Sequence, residues 1–201
     1  NCDFTGTTFA EGSETFEFGI PVGDVEAFKA ALADPSVTEI VLPYGIYEGL
    51  FYQTVSPKTI KSANPDKPAT IKGKIAVTED VVLENLVFDV HDEYSLASTG
   101  ISDIDKKERK AIVAVATAKA VIEGCKFYNL YDKRTVVAVN YGAFEVGSPL
   151  EINNCYFEGY AYAIYTRALV SVTNSTFNQT HKSANPRAIF LYGLDGNAQG
   201  N

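Results

Sequence analysis

One seven-residue phrase occurs four times in this chain and limits what it can fold into. Residues 82–88 read VLENLVF, 121–127 VIEGCKF, 151–157 EINNCYF and 171–177 SVTNSTF. In each, Asn or Gly stands three residues before a Phe (Asn85, Gly124, Asn154, Asn174), and Leu86, Cys125, Cys155 or Ser175 stands two before it. The segments are short, β-prone and without helical period. Repetition of this kind specifies stacked coils, because so small a unit cannot bury its apolar face until a neighbour lies on it. Parallel stacking would set like residue on like. The Phe column is then predicted to be core, and the Asn column to bond its amides along a turn.

A second strand type alternates with the first. Residues 111–115 read AIVAV, 135–139 TVVAV, 163–166 AIYT and 188–192 AIFLY. Taking Ala111, Thr135, Ala163 and Ala188 as equivalent gives spacings of 24, 28 and 25 residues, a coil length suited to a parallel β-helix with variable turns. Ahead of the coils, Asp24 is placed as an N-cap, and Val25, Phe28, Ala31 and Leu32 share one face at helical spacing. Asp34-Pro35 ends that pattern. The expectation is a helix over 24–33 that covers the apolar end of the first coil. Residues 38–42 (TEIVL) read as a strand and 43–47 as a turn into another. Further short strands are expected at Thr59-Ile60 and Thr70-Ile71, on either side of the turn at 64–68. Residues 1–20 form an extended segment or linker, and 21–201 the coil domain. Residues 91–109 break the rhythm with a long polar loop that either frames a binding face or is merely solvated.

Composition narrows the partners. Of the 201 residues, 46% are apolar, enough for a core, and the net charge of −8 argues against nucleic acid as a general partner. No run of 18 apolar residues is present, so no transmembrane segment is expected. The chain opens on Asn1 rather than Met, which reads as a mature or trimmed fragment without its targeting segment. Cys125 and Cys155 share one repeat position, so stacking would bring their backbones to ~4.8 Å, within disulfide reach. Two small reduced thiols in a buried ladder are the expected state. Cys2 reads as a remnant of an upstream linker. The triplets beginning at Asn174 and Asn178 fit the N-glycosylation pattern, which Asn- and Thr-rich turns also produce by chance.

Lys110, Arg134, Tyr162 and Arg187 each precede a strand of the second type, and Arg167 lies at a strand end. On successive coils these would form a column, with Asp132 beside it. The Arg fork suits carboxylate or sulfate, and Tyr offers a face to a sugar ring. A ladder stepped at ~4.8 Å fits an extended acidic polymer better than a compact ligand. The bland alternative pairs each cation with a nearby carboxylate such as Asp132, Glu145 or Glu158. Catalytic candidates are few: Lys110, Arg134 and Tyr162. His91 and His181 are out of repeat phase with one another, and no Ser-His-Asp set, metal spacing or phosphate-cradling loop is present. No cofactor is implied. Were the long loop to hold Ca²⁺, Asp103 and Asp105, with Asp92 and Glu93, would supply the oxygens; otherwise those residues are simply solvated.

The stretch from the helix through VLPYGIYEG and TIKSANPDKPATIKG resembles the opening of the pectin lyase-like right-handed β-helix superfamily. There a helix is followed by a strand, a Pro-x-Gly-x-Tyr turn and a Thr-Ile strand ending in Gly. With the repeats, the resemblance covers about residues 22–192. It implies an all-β fold: a single right-handed parallel β-helix of about six coils with a short N-terminal capping α-helix. Lyases, hydrolases, esterases and non-catalytic modules share that scaffold, so the fold does not select an activity.

KAIVAV, IEGCKFYNLYD and CYFEGYAYAIY are also similar to the middle of pectin methylesterases. Asp132 falls where their acid stands, but Tyr162 occupies the nucleophile position, and Lys110 and Tyr131 stand where Gln would shape the oxyanion site. Ester chemistry lacks its means of starting. CKFYNLYDKRTVVAV and STFNQTHKSANPRAIFLY resemble non-catalytic-looking β-helix modules of secreted or surface proteins from polysaccharide-degrading bacteria. Three function classes follow from these likenesses. The first is a secreted or cell-surface module binding an acidic polysaccharide. The second is a uronate lyase, in which Lys110, Arg134, Tyr162, Arg167 and Arg187 would neutralise the carboxylate and remove the ring proton. The third is a structural stalk, adhesin or filament subunit associating end to end or as a tandem domain.

Overall fold

The computed structural model describes residues 23–90, 110–115, 119–129, 136–141, 150–166, 170–178 and 186–191. The described residues are mostly β, in parallel sheets, with one short helix. Helix α1 spans Val25–Ala33, and the Asp24 side chain caps it by accepting from Ala27 N at 2.9 Å. Phe28 and Leu32 are buried, with Val25 and Ala31 packed beside them. At its other end the Asp34 carboxylate accepts from the Ser36 hydroxyl and amide, bonds that hold its pKa below the usual carboxylate range.

Three groups of strands recur in a fixed rhythm. The first group is β1 (Glu39–Leu42), β3 (Lys58–Ser62), β5 (Val81–Glu84), β8 (Ala120–Glu123), β11 (Leu150–Asn153) and β14 (Val170–Thr173), which pair in that order as one parallel sheet. Between them run β2 (Ile46–Gln53) and β4 (Thr70–Val77), each eight residues long. Beyond β5 this long strand is replaced by two shorter ones: β6 (Val87–Val90) and β7 (Lys110–Val115), β9 (Lys126–Asn129) and β10 (Val136–Tyr141), β12 (Tyr156–Glu158) and β13 (Tyr162–Thr166), β15 (Thr176–Asn178) and β16 (Arg187–Leu191). The first half of β4 pairs with β6 and its second half with β7, so two stacks diverge from it. The β2–β4 register shifts between Glu48 and Phe51. There a Cβ on Gly73 would sit 2.4 Å from the Gly49 carbonyl oxygen, so only glycine permits the two backbones to approach.

The strands at Thr59-Ile60 and Thr70-Ile71 are therefore longer than expected. The second, expected at Thr70-Ile71 and ending in Gly73 by the resemblance, continues through Gly73 to Val77. The expected strand at 38–42 begins one residue later, at Glu39, and the expected helix is present with Asp24 as its cap. The N-terminal segment 1–20 and the loop 91–109 lie outside the described residues, as do Asp92, Glu93, Asp103 and Asp105.

The repeated phrase becomes a corner and a core. Asn85, Gly124, Asn154 and Asn174 adopt φ of 53°, 62°, 54° and 49°, the left-handed region that Asn and Gly tolerate best. Three residues on, Phe88, Phe127, Phe157 and Phe177 stack as parallel rings with centroid separations of 4.8, 4.9 and 4.8 Å. The first three are fully buried and Phe177 is half-buried. The predicted Phe column is present. The Asn column serves the turn differently from the expectation. Gly124 carries no amide, and Asn174 Nδ2 donates to Asn153 Oδ1 at 3.0 Å rather than to Asn154. Its common property is the positive φ.

Cys125 and Cys155 stand just before the paired strands β9 and β12, both free and buried. Their thiols donate to the carbonyls of Leu83 and Ile122, each at 3.5 Å. Burial is the first cause raising both thiols, Cys155 to about 11, which makes them poor nucleophiles. Burial likewise pushes the Tyr52 phenol up to about 12. Groups with raised folded-state pKa keep the fold stabilised below their unfolded values, and that contribution is lost as pH rises through the folded ones. Stability should accordingly decline from about pH 9 toward 12. Denaturation midpoints across that range test this, and a thiol reagent should label neither cysteine before unfolding.

Candidate functional site

The stack containing β7, β10, β13 and β16 carries the described members of the expected column. Its register runs Val136 opposite Lys110, Val137 opposite Ala111, Val139 opposite Ile164, and Tyr162 opposite Arg187. The expected equivalence of Ala111 with Thr135 is thus off by two, because β10 starts at Val136. Lys110 pairs with Val136, so among the described members of the expected column Lys110 does not share a register line with Tyr162 and Arg187. Tyr162 and Arg187 do meet as cross-strand neighbours. Arg134, Asp132 and Arg167 lie outside the described residues.

A second apolar cluster forms on this stack, apart from the main core. It contains Ala76, Val137, Ala161, Tyr162 and Tyr165, with Phe190 packed against it. One register line through it reads Ala76, Ala114, Asn140, Tyr165, Phe190, passing from alanine to aromatic side chains along the stack. The Tyr165 ring stacks on Phe190 at 5.2 Å and 11°, and Tyr162 meets Phe190 edge-on at 5.5 Å and 68°. Tyr162 is only 5% exposed, so it is a wall of this cluster and presents little free ring face. The Arg187 guanidinium carbon lies 5.1 Å from the Phe190 centroid, a cation–π arrangement. Arg187 itself is exposed, and its backbone is fixed by a 2.7 Å bond from its N–H to the Ala161 carbonyl. The site is a solvent-facing cation over one ring, Phe190, against which two tyrosines pack.

The neighbouring stack of β6, β9, β12 and β15 holds a polar-aromatic strip that the sequence reading missed. Its outward lines are Val87, Lys126, Tyr156, Thr176 and Asp89, Tyr128, Glu158, Asn178. The Tyr128 and Tyr156 rings lie 5.8 Å apart. Tyr156 donates to Glu158 Oε2 at 2.6 Å and accepts from Asn178 Nδ2 at 3.2 Å. Desolvation raises the Tyr128 phenol, with Tyr156, Glu158 and Asp89 adding to it. The signal was present in the repeat, because strand alternation turns outward the residues on either side of each inward Phe.

Among the described residues no group of three or more His, Cys, Asp or Glu could hold a metal, and no helix is long and apolar enough to cross a membrane. No protein-family model, curated protein or solved structure matches the chain.

Proposed function

We propose that this chain is a single right-handed parallel β-helix module, secreted or displayed at a cell surface, that binds an acidic polysaccharide. The coil reading takes the three strand groups as successive turns of one path, with the right-handed sense that parallel crossovers take. The observation that carries the ligand reading is Arg187, an exposed guanidinium held over Phe190 and beside Tyr162 on a stack of parallel strands. Aromatic backing orients the fork without neutralising it, leaving its donors for a carboxylate or sulfate. The Tyr128–Tyr156 strip on the next stack supplies amphipathic ring surface and hydroxyls of the kind that sugars use.

Affinity electrophoresis in gels containing polygalacturonate, alginate or chondroitin sulfate tests this reading. Retention on at least one polymer is expected, with Arg187→Ala weakening it by about 1.5–3 kcal/mol, the scale of a hydrogen bond to a charged group. Added salt should erode what remains. Because Arg187 is exposed, its loss should change stability by no more than about 1 kcal/mol, the value of its contact with Phe190. No retention, or equal retention of the variant, would refute the site. Rising absorbance near 235 nm on any of these polymers would instead identify a lyase.

A further inference from the structure

The face that carries Arg187 is closed to solvent over most of the stack, and this limits how a glycan can meet the guanidinium. The register line Ala76, Asn140, Tyr165, Phe190 alternates with the line Ile75, Val139, Ile164, whose members belong to the main core. By strand alternation it lies on the face turned away from that core. Ala76 is nevertheless 0%, Asn140 7% and Tyr165 6% exposed. Val137 and Ala161, in the same second cluster, are fully buried. Exposure on this line begins only at β16, where Phe190 is half-buried and Arg187 is exposed.

Two tyrosines of β13 form the boundary. The Tyr165 ring stacks on Phe190, and Tyr162 meets Phe190 edge-on. The β13 side of Phe190 is thus filled by protein, and a sugar set on the Arg187 fork meets a wall there. The accessible depth beyond that wall, counted along the stack among the described residues, is about one strand spacing, ~4.8 Å. A sugar inside a chain needs two exits, one for each glycosidic neighbour. The wall removes the exit that leads back along the stack.

We propose that Arg187 receives the terminal residue of an acidic glycan, with its carboxylate or sulfate on the guanidinium and the rest of the chain leaving away from β13. This rests on the reading of Arg187 as an acidic-glycan site and specifies how that site is used. A polymer laid lengthwise over successive strands, the arrangement that a cation on every coil would serve, does not fit a face closed as far as β13. A terminus occurs once per chain, so affinity counted per chain is independent of chain length. An internal stretch occurs in as many registers as the chain has residues, and its affinity per chain rises with length.

Competition in the affinity gel tests this, with free oligomers of about 6 and about 60 residues cut from the retained polymer; the number of equivalent internal registers differs at least about tenfold between them. The molar concentration of chains that halves retention is the readout. It should agree for the two lengths within about twofold, and Arg187→Ala should weaken retention on the gel itself. At equal polymer mass in the gel, partial depolymerisation should strengthen retention, because it creates ends. Competition per chain that improves about tenfold with length, or retention that falls on depolymerisation, would overturn terminal recognition. Retention that still depends on Arg187 would in that case leave the glycan site standing. Absence of retention on every polymer would remove the underlying reading, and this inference with it.

Discussion

Phe127→Ala should lower the stability of the fold by about 3–5 kcal/mol, the range for deleting a buried aromatic ring. The ring is fully buried, between Phe88 at 4.8 Å and Phe157 at 4.9 Å, with interplanar angles of 9° and 5°. Its loss opens a cavity and removes two stacked aromatic contacts, each worth ~0.5–1.5 kcal/mol beyond area. The strands on either side, β6 and β12, are held by their own backbone ladders, so little collapse can refill the space. Phe177→Ala should cost less than half as much, because that ring is half-buried and has one stacked neighbour among the described residues, Phe157. Chemical denaturation of the two variants measures both. Equal losses would mean that the column does not grade from a fully buried interior to a half-buried last ring.

Lys58→Ala should cost about 2–4 kcal/mol, through loss of a buried ammonium's hydrogen bonds. Lys58 heads an inward line continued by Val81, Ala120, Leu150 and Val170, and it is only 3% exposed. Its Nζ donates to the Asp34 carbonyl at 2.8 Å, the Val37 carbonyl at 2.6 Å and the Ser56 hydroxyl at 3.0 Å. Two of these acceptors belong to the chain leaving α1, where a cation also meets the negative end of the helix dipole. Alanine leaves those carbonyls unsatisfied in an apolar setting. Relief from desolvating the charge offsets part of that cost. Lys58→Met keeps the stem and isolates the polar contribution, and about 1–3 kcal/mol should still be lost. Hydrogen exchange at α1 should accelerate in both variants. A neutral methionine variant would mean that desolvation cancels the bonds.

Lys58 also marks the boundary of what could be read beforehand. The repeated Asn-x-x-Phe phrase exposed both the core column and its corner, because stacking forces like residues together. The helix was legible from its cap and its apolar face. Lys58 was not, since a lysine in a Lys-Thr-Ile strand gives no sign that it will turn inward toward a helix end over twenty residues earlier in the chain. The second strand type was legible as strand but not in register. AIVAV and TVVAV look alike at Ala111 and Thr135, yet hydrogen bonding sets Ala111 opposite Val137. With Val139 opposite both Val113 and Ile164, and Ile164 opposite Ile189, Lys110 falls one residue out of line with Tyr162 and Arg187. Similarity of apolar residues cannot fix register where several alignments place Val on Val.

The corner after the first strand group has a consequence for how such a chain can vary. From β5 to β6, β8 to β9, β11 to β12 and β14 to β15 the connection is always two residues, Asn85-Leu86, Gly124-Cys125, Asn154-Cys155 and Asn174-Ser175. The next corner admits 19 residues between Val90 and Lys110, six between Asn129 and Val136, three between Glu158 and Tyr162 and eight between Asn178 and Arg187. One added residue at the invariant corner would reverse the facing of the next strand, throwing its Phe outward. At the variable corner an insertion merely lengthens an excursion, at a closure cost that grows slowly with length. Foreign sequence, from an epitope tag to a whole inserted domain, is therefore best grafted between the second and third strand groups, and lineages bearing this repeat should differ in length chiefly there.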